Sequence, residues 1–273
     1  CKGNEGVRLR RFDARKTPGQ RARGHRPPHA LCKGIVPAGI EDDETQLPGR
    51  LDGLQDPVER NRLVIGVGDI GGGALTLVEL VEFPVYISPI AIAYNLPSVK
   101  EDIKMDAETV AKVFSGEIKK WNDDAIASQN EGVELPDTDI TVVHRSDKSG
   151  TTKNFVSYLS EAAPEAWTYE VAEEWPSDIT AESAQGTKGV VGQASSTEGA
   201  ITYADASAVG TLGTVDVKVG DEYVKQSPEA AAKLVETSEE KEDGSLEIDR
   251  ATTEQGVYPV VLVSYHIYCN QYE

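Results

Sequence analysis

The stretch from Ile140 to Leu159 restricts the fold of this chain more than any other, because it changes from strand to helix across a short polar loop. Ile140–His144 is rich in β-branched residues and predicts a buried strand. Lys153–Leu159 carries apolar residues at positions 155, 158 and 159, which is helical spacing. A strand that leads into a helix in this way is the repeating unit of α/β proteins.

The chain beyond residue 83 continues this alternation. Val85–Tyr94 is a strand candidate in which Pro89 favours an edge, a bend or a crossover between lobes. Further predicted elements are a helix capped by Asp106 that ends at Gly116, a short helix after Trp121-Asn122-Asp123, a helix over 186–195, a strand over 200–203, a helix over 228–235 capped by Ser227, an acidic loop over 236–249 and a β-rich segment over 257–268. These elements predict an α/β fold with a mostly parallel sheet and helices on its faces.

The polar loop has the residues of an anion site. A helix N-terminus presents backbone N–H groups and favours negative charge, and Arg145 adds a planar fork that matches two oxygens of an oxyanion. Asp147 would repel a bound anion unless the ligand carries a proton that the carboxylate accepts. The loop therefore indicates a protonated oxyanion such as hydrogen phosphate rather than sulfate. A plain turn and helix cap, with Arg145 and Asp147 as a weak surface ion pair, is the alternative.

Composition excludes some partners and divides the chain. With 46 acidic and 27 basic residues, the net charge is -19, which argues against nucleic acid as a partner. A small anion in a cleft remains possible, because nearby donors outweigh distant surface charge. Residues 1–40 nevertheless contain ten Lys/Arg and two acidic residues, whereas residues 71–273 contain 14 basic and 36 acidic residues.

Residues 1–62 show no sustained helical or alternating period and are rich in Arg, Pro and Gly. This segment fits either a basic arm for nucleic acid or acidic lipid, or a disordered tail. Elsewhere, no run is apolar and long enough to predict a bilayer-spanning helix. No pair of histidines has metal-ligand spacing with supporting carboxylates, so we expect no metal site. His144 precedes Arg145 on the strand and should point to the opposite face.

Several stretches together resemble the substrate-binding proteins of bacterial phosphate ABC transporters, most closely the lipoprotein versions from actinobacteria. The resemblance is continuous from about Phe83 to Cys269. Its main matches are Pro89–Asn95, Phe114–Asp123, Leu135–Asp147, Gly199–Tyr203 and Tyr258–Cys269. An ordered series of matches is more specific than any single motif.

The resemblance implies a type II periplasmic-binding-protein fold, in which two α/β lobes enclose a ligand cleft. It assigns residues 93–256 to a middle lobe and residues 83–92 and 257–273 to crossover strands and a remnant of the outer lobe. Residues 1–82 then form an anomalous, largely irregular or disordered segment, so the outer lobe is expected to be incomplete. Carried over by position, the phosphate ligands are Arg145, Asp147, Ser149, Gly150 and Thr151. Arg145 holds two phosphate oxygens, Asp147 accepts the ligand's proton, and the others donate hydroxyl and N–H bonds.

The function implied by the resemblance is that of an extracytoplasmic solute-binding protein. Such a protein captures inorganic phosphate and delivers it to the permease subunits of an ABC importer, as a monomer, without a cofactor and without catalysis. The alternative is a phosphatase or phosphoryl-transfer enzyme that uses the same loop. That chemistry needs a nucleophile beside a base, usually with metal ions, and the sequence shows no such group.

The cysteines and the N-terminal segment lead to two further expectations. In the resembling lipoproteins a mature N-terminal cysteine carries lipid, so Cys1 predicts an anchor on the outer face of the membrane. In the same lipoproteins, a C-terminal cysteine like Cys269 usually pairs with a cysteine of the N-terminal half that lies in an Arg-Cys-Gly-Gly-like context. The surroundings of Cys32 lack this context, so we expect Cys269 to be unpaired.

The resembling family carries three N-terminal ligand motifs: a Gly-Ala-Gly-Ala/Ser loop, a Gly-Ser-Gly-Gly-Gly turn and a Phe-x-x-Ser-Asp segment. None of them is present in this chain. An out-of-frame translation between about Val7 and Val81 would explain their absence and would leave a defective binding protein. This hypothesis fails if the other reading frames of the gene lack those motifs.

Overall fold

A computed structural model of the chain describes residues 62–65 and 76–269, in which five α-helices alternate with strands. The helices are α1 Ala107–Phe114, α2 Asp124–Ala127, α3 Gly150–Ala162, α4 Gly186–Ser196 and α5 Pro228–Thr237. The strands are β1 Arg62–Ile65, β2 Thr76–Tyr94, β3 Lys104–Met105, β4 Thr141–Arg145, β5 Glu182–Ala184, β6 Ala200–Asp205, β7 Gly213–Thr214, β8 Asp216–Val219, β9 Glu222–Val224, β10 Glu239–Glu240, β11 Leu246–Glu247 and β12 Val261–Cys269. The predicted α/β class is confirmed.

The main sheet is mixed, so the prediction of a mostly parallel sheet is wrong. Its order is β1-β2-β6-β4-β5, with β7 and β12 also paired to β2. Strand β4 runs parallel to β5 and β6, because helical segments connect these strands and return the chain to the same end of the sheet. All pairs of β2 are antiparallel. Strands β8 and β9 are also antiparallel, since a tight turn joins them.

Strand β2 changes partner at Pro89. Its residues 80–89 pair with β12, and its residues 90–94 pair with β6. Pro89 lies opposite Val261, the first residue of β12. Because proline offers no N–H to a ladder, it is tolerated where one pairing ends and another begins. Of the alternatives predicted at Pro89, the structure shows a change of pairing partner, and residues 80–89 of β2 form with β12 a two-stranded ribbon that extends from the rest of the main sheet. Of segment 1–82, the strands over 62–65 and 76–82 lie within the described residues.

The main core lies between the sheet and helices α1 and α3. All three tryptophans are buried. Trp121 packs against Tyr94, with ring centroids 5.4 Å apart, and its indole N–H donates to the carbonyl of Gly199 at 2.9 Å. Phe114 of α1 meets Phe155 of α3 edge to face at 4.7 Å. These contacts hold α3, and the loop before it, against the sheet.

Helix ends follow the capping residues expected from the sequence, but the acidic segment does not remain a loop. The Asp106 carboxylate accepts from Thr109 N at 2.8 Å, and Ser227 caps α5. Within residues 236–249, β10 and β11 pair as a hairpin. Its turn is stabilised by the Asp243 carboxylate, which accepts from the backbone N–H of Ser245 at 2.9 Å, and by Gly244 at φ +84°. The loop prediction for 236–249 is therefore wrong.

Gly199→Ala should destabilise the fold more than Gly116→Ala, although the backbone strain at the two positions is the same. Gly199 has φ +82° and Gly116 has φ +80°, so alanine is strained at both, by roughly 1–2 kcal/mol. A Cβ at Gly199 also meets the Asp139 carbonyl oxygen and lies 2.8 Å from Thr138 Cγ2, whereas one at Gly116 meets nothing within 4 Å. Urea denaturation should show Gly199→Ala less stable than Gly116→Ala by about 1–3 kcal/mol. Equal losses would contradict this packing argument.

Candidate functional site

The predicted anion loop lies at the carboxyl edge of the parallel strands. Strand β4 ends at Arg145, and residues 146–149 lead into α3. Strand β5 pairs in parallel with β4, with Ala184 opposite Arg145, and leads into α4 at Gly186. Two helix N-termini therefore open at the same edge, which is where α/β sheets bind ligands and where helix dipoles favour anions.

Arg145 and Asp147 form a bidentate ion pair in this loop. Arg145 Nε donates to Asp147 Oδ1 at 2.7 Å, and Nη2 donates to Oδ2 at 2.5 Å. The side chains are only 13% and 32% exposed, so this is more than a surface pair. Hydrogen bonds from Arg145 hold the pKa of Asp147 well below its usual range. Asp147 is thus an ionised, acceptor-only group, and within the described residues the Arg145 Nη1 group has no hydrogen-bond partner.

Gly186 completes the surroundings of Asp147. Its backbone N–H donates to Asp147 Oδ1 at 3.0 Å, and its φ of +69° lets the chain turn from β5 into α4. Sequence reasoning did not identify Gly186 as part of the site. The small-residue start of the predicted helix was visible, but its place beside Asp147 depends on the pairing of β5 with β4.

Ser149 acts as the N-cap of α3. Its hydroxyl oxygen accepts from Thr151 N at 3.2 Å and from Thr152 N at 3.4 Å, and the side chain is buried. The backbone N–H of Ser149 donates to Glu173 O at 3.0 Å. Gly150 is exposed, and its N–H has no acceptor within the described residues, as is usual for the first residue of a helix. The five predicted residues therefore lie at the end of β4 (Arg145), in the connecting loop (Asp147 and Ser149) and in the first turn of α3 (Gly150 and Thr151).

Tyr203 supports the loop from the sheet, and sequence reasoning missed this contact. Its hydroxyl accepts from Arg145 N at 3.4 Å and shares a 2.8 Å hydrogen bond with Thr152 Oγ1. Its ring stacks on Phe155 at 4.6 Å, and burial raises the pKa of Tyr203 to about 12. A neutral buried phenol thus joins the end of β4 to the first turn of α3.

The remaining candidate groups lie away from this loop or outside the described residues. His144 stacks on Trp175 at 5.3 Å, on the face opposite Arg145, and burial lowers its pKa. Within residues 62–65 and 76–269, no three His, Cys, Asp or Glu side chains are placed to hold a metal ion. Cys1, Cys32 and the side chain of Cys269 are outside what the structure describes, so lipid attachment and disulfide state stay predictions. No helix in the described part is long and apolar enough to cross a bilayer.

A family model covers most of the chain. The model, described as a PBP superfamily domain, matches residues 75–273. The match begins somewhat before Phe83, where the resemblance in the sequence starts, and contains the whole loop between β4 and α3.

Curated relatives and a solved structure agree with this match. The chain is 35% identical over 200 residues to phosphate-binding protein PstS 2 of Mycobacterium tuberculosis, which covers 70% of this chain and 54% of that protein. It is 32% identical over 229 residues to phosphate-binding protein PstS 3 of Mycobacterium leprae, which covers 81% and 60%. The chain therefore spans little more than half the length of these relatives. A phosphate-binding protein structure from Stenotrophomonas maltophilia superposes with a TM-score of 0.52 at 19% identity, over 69% of this chain and 55% of that one, which supports the fold.

Proposed function

This chain belongs to the PBP superfamily, and we propose that it is a solute-binding protein that captures inorganic phosphate at the loop between β4 and α3. The bidentate Arg145–Asp147 pair carries this proposal. It places a guanidinium, whose Nη1 group has no partner among the residues that the structure describes, beside an ionised carboxylate at two helix N-termini. A cation alone would suit any oxyanion, whereas the adjacent acceptor suits an oxyanion that still carries a proton.

The proposed phosphate contacts follow from this geometry. Arg145 donates its free guanidinium N–H groups to phosphate oxygens, while Asp147 accepts the P–OH proton. Gly150 and Thr151 at the N-terminus of α3 present backbone and hydroxyl donors, and Ser149 keeps that turn in place through its cap. The similarity to relatives named phosphate-binding proteins supports the same ligand.

Delivery to an ABC importer is part of the same proposal. Capture outside the cytoplasm, transfer to permease subunits, action as a monomer, and a lipid on Cys1 as membrane anchor all extend from the resemblance to the phosphate-binding proteins of bacterial transporters. Mass spectrometry of the protein isolated from membranes tests for the lipid. In a cell fractionation, Cys1→Ser should move the protein to the soluble fraction.

We propose binding without turnover. A phosphatase needs a nucleophile beside a general base. Within the described residues, the Ser149 hydroxyl oxygen already caps α3, and the nearest histidine in sequence, His144, faces the other side of the sheet. Neither is placed to activate the other.

Calorimetry of the full chain with phosphate and with sulfate tests this function, together with an assay for hydrolysis of p-nitrophenyl phosphate. We expect a saturable phosphate isotherm, no sulfate binding in the same concentration range, and no hydrolysis. Hydrolysis that depends on Ser149 would favour the enzyme alternative. A folded chain that binds neither anion would favour the hypothesis that residues 1–82 are out of frame and leave the site incomplete, which resequencing of the 5′ region of the gene decides.

Removal of the α3 cap should separate binding from stability. Ser149→Ala and Ser227→Ala each remove an N-cap side chain, from α3 and α5, and each should cost about 1 kcal/mol in the free energy of unfolding. Only Ser149→Ala should weaken phosphate binding, by roughly tenfold, because it loosens the donors of Gly150 and Thr151. Urea titration and calorimetry measure the two effects. Equal phosphate affinities in the two variants would contradict a ligand at α3.

A further inference from the structure

Arg250 is a buried cation that is not among the proposed phosphate contacts. It follows β11 and the segment 248–249, and its residue is only 6% exposed. Because arginines are almost never fully buried unless they are paired, its hydrogen-bond partners indicate what its burial achieves.

One side of the guanidinium binds the chain at the start of β12. Arg250 Nη1 donates to the backbone carbonyls of Pro259 and Val261, both at 3.1 Å. Val261 is the residue opposite Pro89, where β2 changes from β12 to β6. Arg250 therefore binds the chain at the point where the ribbon joins the main sheet.

The other side of the guanidinium reaches the proposed phosphate loop through one side chain. Arg250 Nη2 donates to Asn154 Oδ1 in α3. Asn154 Nδ2 donates in turn to the carbonyl of Gly150 at 2.9 Å, in the first turn of that helix. A Cβ placed on Gly150 would lie 3.9 Å from Leu262 Cδ1 of β12, so the first turn of α3 lies beside this strand.

The partners of Arg250 favour positioning over charge pairing. Its nearest carboxylate is that of Glu161, whose Oε1 lies 3.9 Å from Nε, beyond hydrogen-bond distance. The short bonds of the guanidinium go instead to two backbone carbonyls and one amide oxygen. Burying a cation whose carboxylate partner lies 3.9 Å away costs stability, and the planar fork gives in return a fixed geometry among three segments.

We propose that Arg250 is a positioning residue that ties the first turn of α3 to the crossover strand β12, and so holds the phosphate loop in its binding geometry. The inference rests on the proposed phosphate function. It assigns to Arg250 an effect on affinity that is exerted through Asn154 and Gly150 rather than through contact with the ligand.

Two substitutions at Arg250 separate positioning from charge. Arg250→Lys keeps the positive charge but cannot bridge Asn154 and both carbonyls, while Arg250→Met removes charge and fork together. Calorimetry with inorganic phosphate, at a temperature where both variants are folded by circular dichroism, should show at least tenfold weaker binding in both. Arg250 and Asn154 line a cavity of about 420 Å³, and Lys241→Met, which removes a positive charge from its wall, should bind like the unaltered chain. Wild-type affinity in Arg250→Lys with loss only in Arg250→Met would overturn positioning in favour of charge. Wild-type affinity in both would reduce Arg250 to a structural residue.

Asn154→Ala tests the same connection from its less buried end, where the fold is less at risk. It should weaken phosphate binding to a similar extent, and the double variant with Arg250→Lys should bind no more weakly than either single one, because both break one connection. Additive losses would overturn the proposal.

Hydrogen exchange gives a readout that does not depend on phosphate. Amides of α3 over 150–158 should exchange faster in Arg250→Lys and in Asn154→Ala, while those of α5 over 228–237 keep their protection. If the unaltered chain binds no phosphate, the proposed function fails, and the exchange rates still decide whether Arg250 holds this turn. Unchanged exchange in α3 would overturn the inference.

Discussion

Arg145→Ala should abolish phosphate binding, with a loss of at least about 100-fold in affinity. Truncating one partner of a desolvated, hydrogen-bonded charge pair costs about 2–5 kcal/mol, and about 3 kcal/mol corresponds to a 100-fold change in Kd. The loss has two parts. The ligand loses its guanidinium donors. Asp147 keeps its negative charge but loses the cation that binds both of its oxygens in the unaltered chain. The empty pocket would then repel the anion that it is proposed to hold.

Two control variants make this result specific. Lys148→Ala removes a positive charge from an exposed side chain of the same loop and should change phosphate affinity by less than about threefold. Arg145→Lys keeps a charge but presents no fork, so its affinity should fall between those of Arg145→Ala and the unaltered chain. Calorimetry measures all three, with circular dichroism to confirm folding. Phosphate binding by Arg145→Ala within a few-fold of the unaltered chain would remove Arg145 from the site.

The local structure of the site could be predicted because its signals lie within single segments. The β-branched residues before Arg145 predict β4, and the apolar spacing after Gly150 predicts α3. The structure adds that Ser149 is the N-cap of that helix. Because a strand, a cap and a helix follow one another between Thr141 and Ala162, their geometry needs little tertiary information.

The support of the site could not be predicted, because it depends on which strands are neighbours. Gly186 reaches Asp147 only because β5 pairs with β4, and Tyr203 reaches Arg145 only because β6 pairs with β4 on its other side. Arg250 lies about one hundred residues beyond the loop that it contacts through Asn154. The prediction of a mostly parallel sheet was wrong for the same reason. The alternation of strands and helices does not reveal the direction of a long strand such as β2.

The hairpin within residues 236–249 shows a different limit. The dipeptide Asp243-Gly244 is a strong turn signal, and the structure uses it between β10 and β11. Its flanks are mostly acidic residues without apolar alternation, so composition favoured a loop. The short strands instead find support from the ribbon, where Glu82 N donates to Asp243 O at 2.6 Å. Tertiary contacts override weak local preference here.

Asp147→Asn should reduce discrimination between phosphate and sulfate by at least tenfold. The carboxylate of Asp147 only accepts hydrogen bonds, because Arg145 holds its pKa below the usual range. It therefore favours a ligand with a P–OH group and repels sulfate, which has no proton to offer at neutral pH. An asparagine amide can donate to a sulfate oxygen, and it leaves the positive charge of Arg145 uncompensated. We expect sulfate affinity to rise and phosphate affinity to change less.

The same substitution also has a predictable cost in stability. A carboxylate whose folded-state pKa is lowered stabilises the fold above its unfolded-state pKa, and this contribution is lost as the pH falls through the folded-state value. Asp147→Asn should thus be less stable than the unaltered chain at neutral pH, with a smaller difference in strong acid. Asp137→Asn is the matched control, because Asp137 pairs with Lys120 on the surface, and it should leave selectivity unchanged. Competition calorimetry with both anions gives the ratio of affinities. An unchanged ratio in Asp147→Asn would mean that the carboxylate orients Arg145 without reading the proton of the ligand, and selectivity would then have to come from elsewhere in the site.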